Sequence, residues 1–309
     1  MWDGPPAPSV VPVIEVRELS KRYGDTVAVD GVTFDVRPGL VTGFLGPNGS
    51  GKSTTMRLIL GLDRPTSGSA TVHGRPYREL KAPLQEVGAL LDAKAVHGSR
   101  SARLHLTWLA QAGGIPVRRV DEVLDLVGLS AVAGRKVRGF SLGMSQRLGL
   151  AAALLGDPGT LLLDEPVNGL DPDGIRQVRV LLRKLAAEGR TVLVSSHLMA
   201  EMEETADRIL VIGNGRLAAD TTLTELTRQH GGGHVRVVSP QPDRLAAVLT
   251  GLGGEVLPEF DGALDVTGLT GAQIGDAAAA AGVALHELTP ARGSLEEAFL
   301  DLIGSGVSA

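Results

Sequence analysis

Residues 41–60 constrain this chain more than any other stretch. Val41-Thr42-Gly43-Phe44-Leu45 reads as a buried strand and Thr55-Met56-Arg57-Leu58-Ile59-Leu60 as a helix, and between them runs Gly46-Pro47-Asn48-Gly49-Ser50-Gly51-Lys52-Ser53-Thr54. Strand, glycine loop and helix in that order are what a phosphate-binding P-loop requires. The glycines let backbone N–H groups turn inward, and the helix N-terminus adds about half a positive charge at the same spot. Lys52 is then placed to reach the β- and γ-phosphates, and the Ser53 hydroxyl to take a position on Mg²⁺. A plain glycine turn before a helix explains the glycines but not the Lys-Ser pair.

A P-loop alone leaves many nucleotide chemistries open, and a second stretch narrows them. Thr160-Leu161-Leu162-Leu163 is apolar without alternation, as in a strand buried on both faces, and it ends in Asp164-Glu165. Acids at the carboxyl end of such a strand lie where open α/β sheets bind ligands. Asp164 suits the Mg²⁺ shell, while Glu165 is placed to polarise an attacking water, an assistance worth about 10²–10⁴ in rate. Solvated acids after a strand would be an adequate account of either one alone, and a weak account of the pair downstream of a P-loop.

The 309 residues suit one large α/β domain and a smaller companion. A formal charge of −5 without a long basic run argues against a dedicated nucleic-acid binder. With no cysteine, neither disulfides nor thiolate metal sites are possible. The N-terminus lacks the pattern of a signal peptide, and no apolar run approaches the ~20 residues needed to cross a bilayer, so the expectation is a soluble chain brought to a membrane only by a partner.

Residues 1–12, Pro-rich, are expected to be a disordered tail. Strands are expected at 13–19, 32–36, 70–73 and 87–91, with Lys21-Arg22-Tyr23-Gly24 between the first two and Tyr23 open to packing on the sheet or stacking on a base. A largely helical insert follows at about 93–139. Leu104, Trp108, Leu109 and Ala112 are predicted to form one apolar face there, and Val120, Val123, Leu124 and Val127 a second. Helices are expected after Phe140-Ser141-Leu142-Gly143-Met144-Ser145-Gln146-Arg147 and at 174–188, a strand at 191–195, and a hairpin around Gly213-Asn214-Gly215. A helix at 222–228 and Gly231-Gly232-Gly233 mark a boundary. Beyond it, strands at 234–238, 263–266 and 283–286 with helices at 245–252, 272–281 and 294–303 suggest a small α+β domain, residues 234–309.

Taken together, residues 13–228 closely resemble the ATP-binding subunits of ABC transporters. Ser141-Leu142-Gly143-Met144-Ser145-Gln146 is similar to that family's signature motif, keeping the first Ser and second Gly. Asn168-Gly169-Leu170-Asp171 resembles its D-loop, His197 after Ser195-Ser196 its switch histidine, and Tyr23 its adenine-stacking position. The fold implied is an α/β P-loop NTPase of ABC type: a mixed sheet core, an antiparallel β subdomain and a helical subdomain. The chemistry implied is ATP hydrolysis by a head-to-tail homodimer, each ATP lying between the P-loop of one subunit and Ser141 and Gly143 of the other. His197 would contact the γ-phosphate, and Asp171 would couple the two sites. A separate transmembrane permease completes such a machine, which holds the ATPase at the cytoplasmic face of the membrane, and no nucleic acid is expected as partner.

Asp92 stands where the family usually has a glutamine, and Met144 replaces the usual signature glutamine. Both features resemble the bacitracin and daunorubicin type of self-resistance exporters, whose ATPases often carry a small C-terminal domain ending like Thr289-Pro290-Ala291-Arg292-Gly293-Ser294-Leu295-Glu296-Glu297-Ala298-Phe299. The resemblance places Asp92 among the residues that bind the nucleotide and Mg²⁺, where a shorter, charged side chain would alter direct metal contact and coupling to the permease. The main alternative is a soluble ABC ATPase acting on ribosomes or DNA, but the paired ATPase domains, coiled-coil inserts and basic arms usual in such proteins are absent from this sequence. The other is a module that senses ATP through a degenerate site, against which the intact Lys52, Asp164, Glu165 and His197 argue.

Overall fold

A computed structural model describes residues 11–230, 234–291, 295, 296, 299 and 302. Most of the expected tail, the Gly231-Gly232-Gly233 boundary and most of the expected helix at 294–303 therefore lie outside the described residues. The chain divides into two units, residues 1–221 and 222–309.

The first unit opens with a hairpin, β1 (Ile14–Tyr23) and β2 (Thr26–Val36). Next, β3 (Val41–Leu45) passes through the glycine loop into α1 (Lys52–Ile59), and β4 (Ser67–Val72), a single-turn α2 (Pro83–Glu86) and β5 (Val87–Leu90) follow. The helices α3 (Ala102–Ala112), α4 (Arg118–Leu126) and α5 (Leu142–Leu154) come next. The unit then runs β6 (Thr160–Asp164), α6 (Pro172–Ala187), β7 (Thr191–Ser196), α7 (Met199–Thr205), β8 (Arg208–Gly213) and β9 (Arg216–Thr222).

Among the described residues these strands make a sheet of order β2-β1-β4, antiparallel throughout, and a sheet of order β5-β6-β7-β3-β8-β9. The run from β5 to β8 is parallel, and its central strands β3 and β7 are buried at every residue. That double burial is why they carry no alternation of apolar and charged residues. The core joins both sheets, with Phe34 of β2 against Phe44 of β3 at 5.7 Å between ring centroids. Asn214 and Gly215, both with positive φ, close the β8–β9 hairpin.

The first unit departs from the sequence reading in three places, and in the second the strand expected at 283–286 lies instead at Glu287–Ala291, while Glu255–Pro258 adds a strand the alternation did not mark. β1 and β2 are longer than expected, because irregularities near Glu18 and Gly31, both with positive φ, interrupt the alternation that marks a strand. Tyr23 is consequently the last residue of β1 rather than part of a connection. The helical region does not stop at 139, since α3 and α4 pack against α5, which also lies on β5. On α3 the predicted face is wrong: Ala102, His105, Leu106 and Ala110 are buried, while Trp108 is 51% and Leu104 56% exposed. The small Ala102 and Ala110 let neighbouring elements approach, and the bulkier residues were assigned the inward face on size alone. On α4 the predicted Val120, Val123, Leu124 and Val127 are all buried.

The second unit runs α8 (Leu223–His230), β10 (His234–Val238), α9 (Pro242–Gly251), β11 (Glu255–Pro258), β12 (Leu264–Thr267), α10 (Gly271–Ala281) and β13 (Glu287–Ala291). Its sheet has the order β11-β12-β10-β13, and every paired neighbour is antiparallel. After α8 this is the split β-α-β, or ferredoxin-like, arrangement. Val235, Val237, Leu264 and Val266 of the sheet share a core with Leu245, Leu249, Ile274 and Ala278 of α9 and α10. A capping box of Thr270 and Gln273 starts α10 and Gly282, in the left-handed region, ends it.

Candidate functional site

The carboxyl ends of three adjacent strands, β6, β7 and β3, converge. In register, Leu45 lies opposite Ser196, and Asp164 opposite Ser195. This edge carries the glycine loop after Leu45, the acids Asp164 and Glu165, and His197 just beyond Ser196.

The loop Gly46-Pro47-Asn48-Gly49-Ser50-Gly51 folds back around the Lys52 ammonium, which donates to the carbonyls of Gly46 at 2.6 Å and Pro47 at 3.1 Å. Gly51 sits at φ 107°, and a Cβ there would stand 2.5 Å from the Ala28 carbonyl, so only glycine fits. The side chain of Lys52 is buried, and burial pushes its ammonium below the ordinary lysine range, with the nearby Glu165 and Asp164 carboxylates pulling it partly back. α1 starts with no side-chain cap and no acid in its first turn. The Ser50 hydroxyl is buried without a hydrogen-bond partner, and Ser53 is exposed at the helix start beside Thr54. A buried cation, uncapped helix N–H groups and an orphaned hydroxyl on one loop fit a phosphate chain.

Asp164 accepts a hydrogen bond from the Ser195 hydroxyl. Glu165 follows with φ 49°, an unusual left-handed conformation for a residue with a side chain. Its backbone is held on both sides: its N–H donates to Ser195 Oγ at 3.0 Å, and its carbonyl accepts from Gln146 Nε2 at 2.7 Å. That conformation brings Glu165 Oε2 to 2.8 Å from His197 Nδ1. Ser195 and Gln146, both buried, lie inside the stretches read as switch and signature, but the sequence gives neither a role toward Glu165. Their partners lie 31 and 19 positions away, and only a buried polar residue on an apolar element could have pointed to them.

Ser141 and Gly143 form a separate group. Ser141 caps α5, its Oγ accepting from Met144 N–H at 3.2 Å. A Cβ on Gly143 would come within 3.0 Å of the Gly169 carbonyl, and one on Gly169, at φ 75°, within 2.3 Å of Leu142 Cδ2. The signature and Asn168-Gly169-Leu170-Asp171 thus interlock inside the chain. Asp171 caps α6 through Gly174 N–H at 2.9 Å and lies 3.6 Å from Arg147 of α5.

Tyr23 is 47% exposed, with its hydroxyl donating to Asp63 at 2.8 Å and Lys21 Nζ 4.8 Å from the ring centroid. Arg57 and then Tyr23, by their hydrogen bonds, hold the Asp63 carboxyl below its ordinary range. Asp92 is exposed and accepts the Lys94 N–H at 2.7 Å, closing a local turn. It shares no hydrogen bond with Lys52, Asp164 or Glu165 among the described residues. Nor do those residues contain a group of three or more His, Cys, Asp or Glu able to hold a metal.

The ABC transporter family matches residues 29–168. The chain is 39% identical over 221 residues to the bacitracin transport ATP-binding protein BcrA of Bacillus licheniformis, covering 71% of this chain and 72% of that one. It belongs to the ATP-binding subunits of ABC transporters. Another relative of this family, the lantibiotic transport ATP-binding protein SrtF of Streptococcus pyogenes, is 36% identical over 66% of this chain and 89% of its own length. A bacterial ABC transporter cassette of dimeric structure superposes with a TM-score of 0.63 at 26% identity, over 68% of this chain and 98% of that one. A domain family of unknown function matches residues 233–296. As an ABC ATPase the chain binds and hydrolyses ATP, and its transport relatives favour the transport reading over a ribosome- or DNA-acting one. Among the described residues no helix is long and apolar enough to cross a membrane.

Proposed function

We propose that this chain powers an ABC exporter as a homodimer seated under a separate transmembrane permease at the cytoplasmic face of the membrane. The observation that carries the catalytic part is the Glu165 carboxylate, set against His197 at the edge where Lys52 lies buried. In this reading residues 46–54 bind the phosphates of ATP, Lys52 neutralises the β- and γ-phosphates, and Tyr23, steadied by Asp63, offers its ring to the adenine. Glu165 polarises the attacking water, and His197 orients that carboxylate and contacts the γ-phosphate. Ser53 and Asp164 are the oxygen donors for Mg²⁺, which when bound supplies charge neutralisation to the phosphates.

Ser141 and Gly143 close over the ATP of the other subunit, and Asp171, tied to Arg147, relates the two sites. The dimeric cassette of similar fold supports this assembly, and the bacitracin and lantibiotic transport relatives support a peptide-antibiotic exporter. Residues 13–228 form the ATPase domain in this reading and 234–309 an accessory one. Exposed Leu104 and Trp108, with the Asp92 loop, support the helical region as the permease-facing surface.

Glu165→Gln is the test. Hydrolysis falls about 10²–10⁴-fold, ATP binding persists and a dimer accumulates with ATP, as read by phosphate release and size-exclusion chromatography. Near-normal turnover would overturn the role given to Glu165.

A further inference from the structure

We propose that Gln146 is a positioning residue for Glu165, and that through it the signature helix of one site sets the catalytic carboxylate of the other. This rests on the reading of Glu165 as the group that activates water. Gln146 lies one turn into α5, 6% exposed, and its amide donates at 2.7 Å to the Glu165 carbonyl. The acceptor belongs to a residue at φ 49°, a conformation that persists only where the surroundings impose it. Ser195 holds the N–H side of Glu165 from β7, and Gln146 holds the carbonyl side from α5. Between these two bonds the side chain is aimed at His197.

The placement has a consequence for coupling. Ser141, the cap of α5, stands five residues before Gln146 on the same rigid helix, and α5 is also locked to Asp171 through Arg147. In the sandwich, the Ser141 end of α5 meets the partner's ATP, whereas Glu165 serves the ATP on this chain's own P-loop. Movement of α5 on closure therefore reaches Glu165 through one partly buried hydrogen bond. A shift of about 1 Å in a catalytic group is enough to change rates about 10²-fold.

Gln146→Met keeps length and volume while removing the donor. In the full chain, steady-state hydrolysis is expected to lose at least about tenfold in kcat, with KM for ATP and the equilibrium affinity for ATP within about twofold. A purely structural role would instead lower affinity, kcat and melting temperature together. Gln146→Lys, which restores a donor of similar reach, is expected to recover part of kcat. Placed on Glu165→Gln, Gln146→Met should cost nothing further, because the group it positions is already disabled.

Unchanged kcat in Gln146→Met, with Glu165→Gln inactive, overturns the proposal and leaves the Glu165 reading intact. Near-normal turnover in Glu165→Gln overturns that reading instead. If Gln146→Met does not fold, Gln146→Asn, one methylene shorter, replaces it under the same criteria.

Discussion

The P-loop and the signature stretch are both glycine-bearing turns that open a helix, yet they leave their polar groups in opposite states. At α1 the helix starts uncapped, the Ser50 hydroxyl is buried without a partner, and the Lys52 ammonium rests on carbonyls while burial disfavours its charge. At α5 the helix is capped by Ser141, and Gly143 and Gly169 are packed against neighbours in the same chain. The first presents unsatisfied donors and a buried cation, the groups that fit an anion. The second has its capping and packing needs met within the chain, which suits the proposed contact with an ATP held by another subunit. That difference is what the proposed head-to-tail assembly requires of a motif serving a partner subunit.

Three changes probe this contrast. Lys52→Met removes the buried cation, and ATP binding by the isolated subunit should weaken by about 2–5 kcal/mol in an equilibrium titration. If affinity is retained, the P-loop is not the self-sufficient half. Ser141→Arg should leave that monomer affinity within twofold while hydrolysis falls about 10²-fold, because closure over the second nucleotide is blocked. Loss of monomer binding in this variant would erase the distinction between the two stretches. Gly169→Ala drives a methyl against Leu142 at a positive φ, and thermal unfolding should report a loss of about 1–3 kcal/mol. A neutral result would mean the interlock of signature and D-loop is looser than its geometry.

Much of the site was legible because its chemistry is local. Gly46 to Thr54 needs its residues consecutive, and Asp164-Glu165 needs only the end of an apolar strand, so both are visible in a short window. His197 was found by its position after a strand and by resemblance. What held Glu165 in place was not legible. Ser195 and Gln146 reach it across strand order and helix packing, and although both lie in recognised motifs, nothing local assigns them to Glu165. The α3 face was misassigned for a related reason: size and hydropathy favour Leu104 and Trp108 as core, but close packing on neighbouring elements selected Ala102, Leu106 and Ala110.

The sequence by itself determined that this chain binds a nucleoside triphosphate, that the strand at 160–163 is buried on both faces, and which residues are candidates to supply charge to phosphate. Those properties follow from glycine geometry, apolar run length and side-chain chemistry within a few residues. Tertiary structure alone decided the left-handed turn at Glu165, its two anchors, the interlock of Gly143 with Gly169, and the split β-α-β pairing of the second unit. Each of these depends on backbone groups far apart in the chain meeting at hydrogen-bond or van der Waals distance, which strand order fixes and local composition does not.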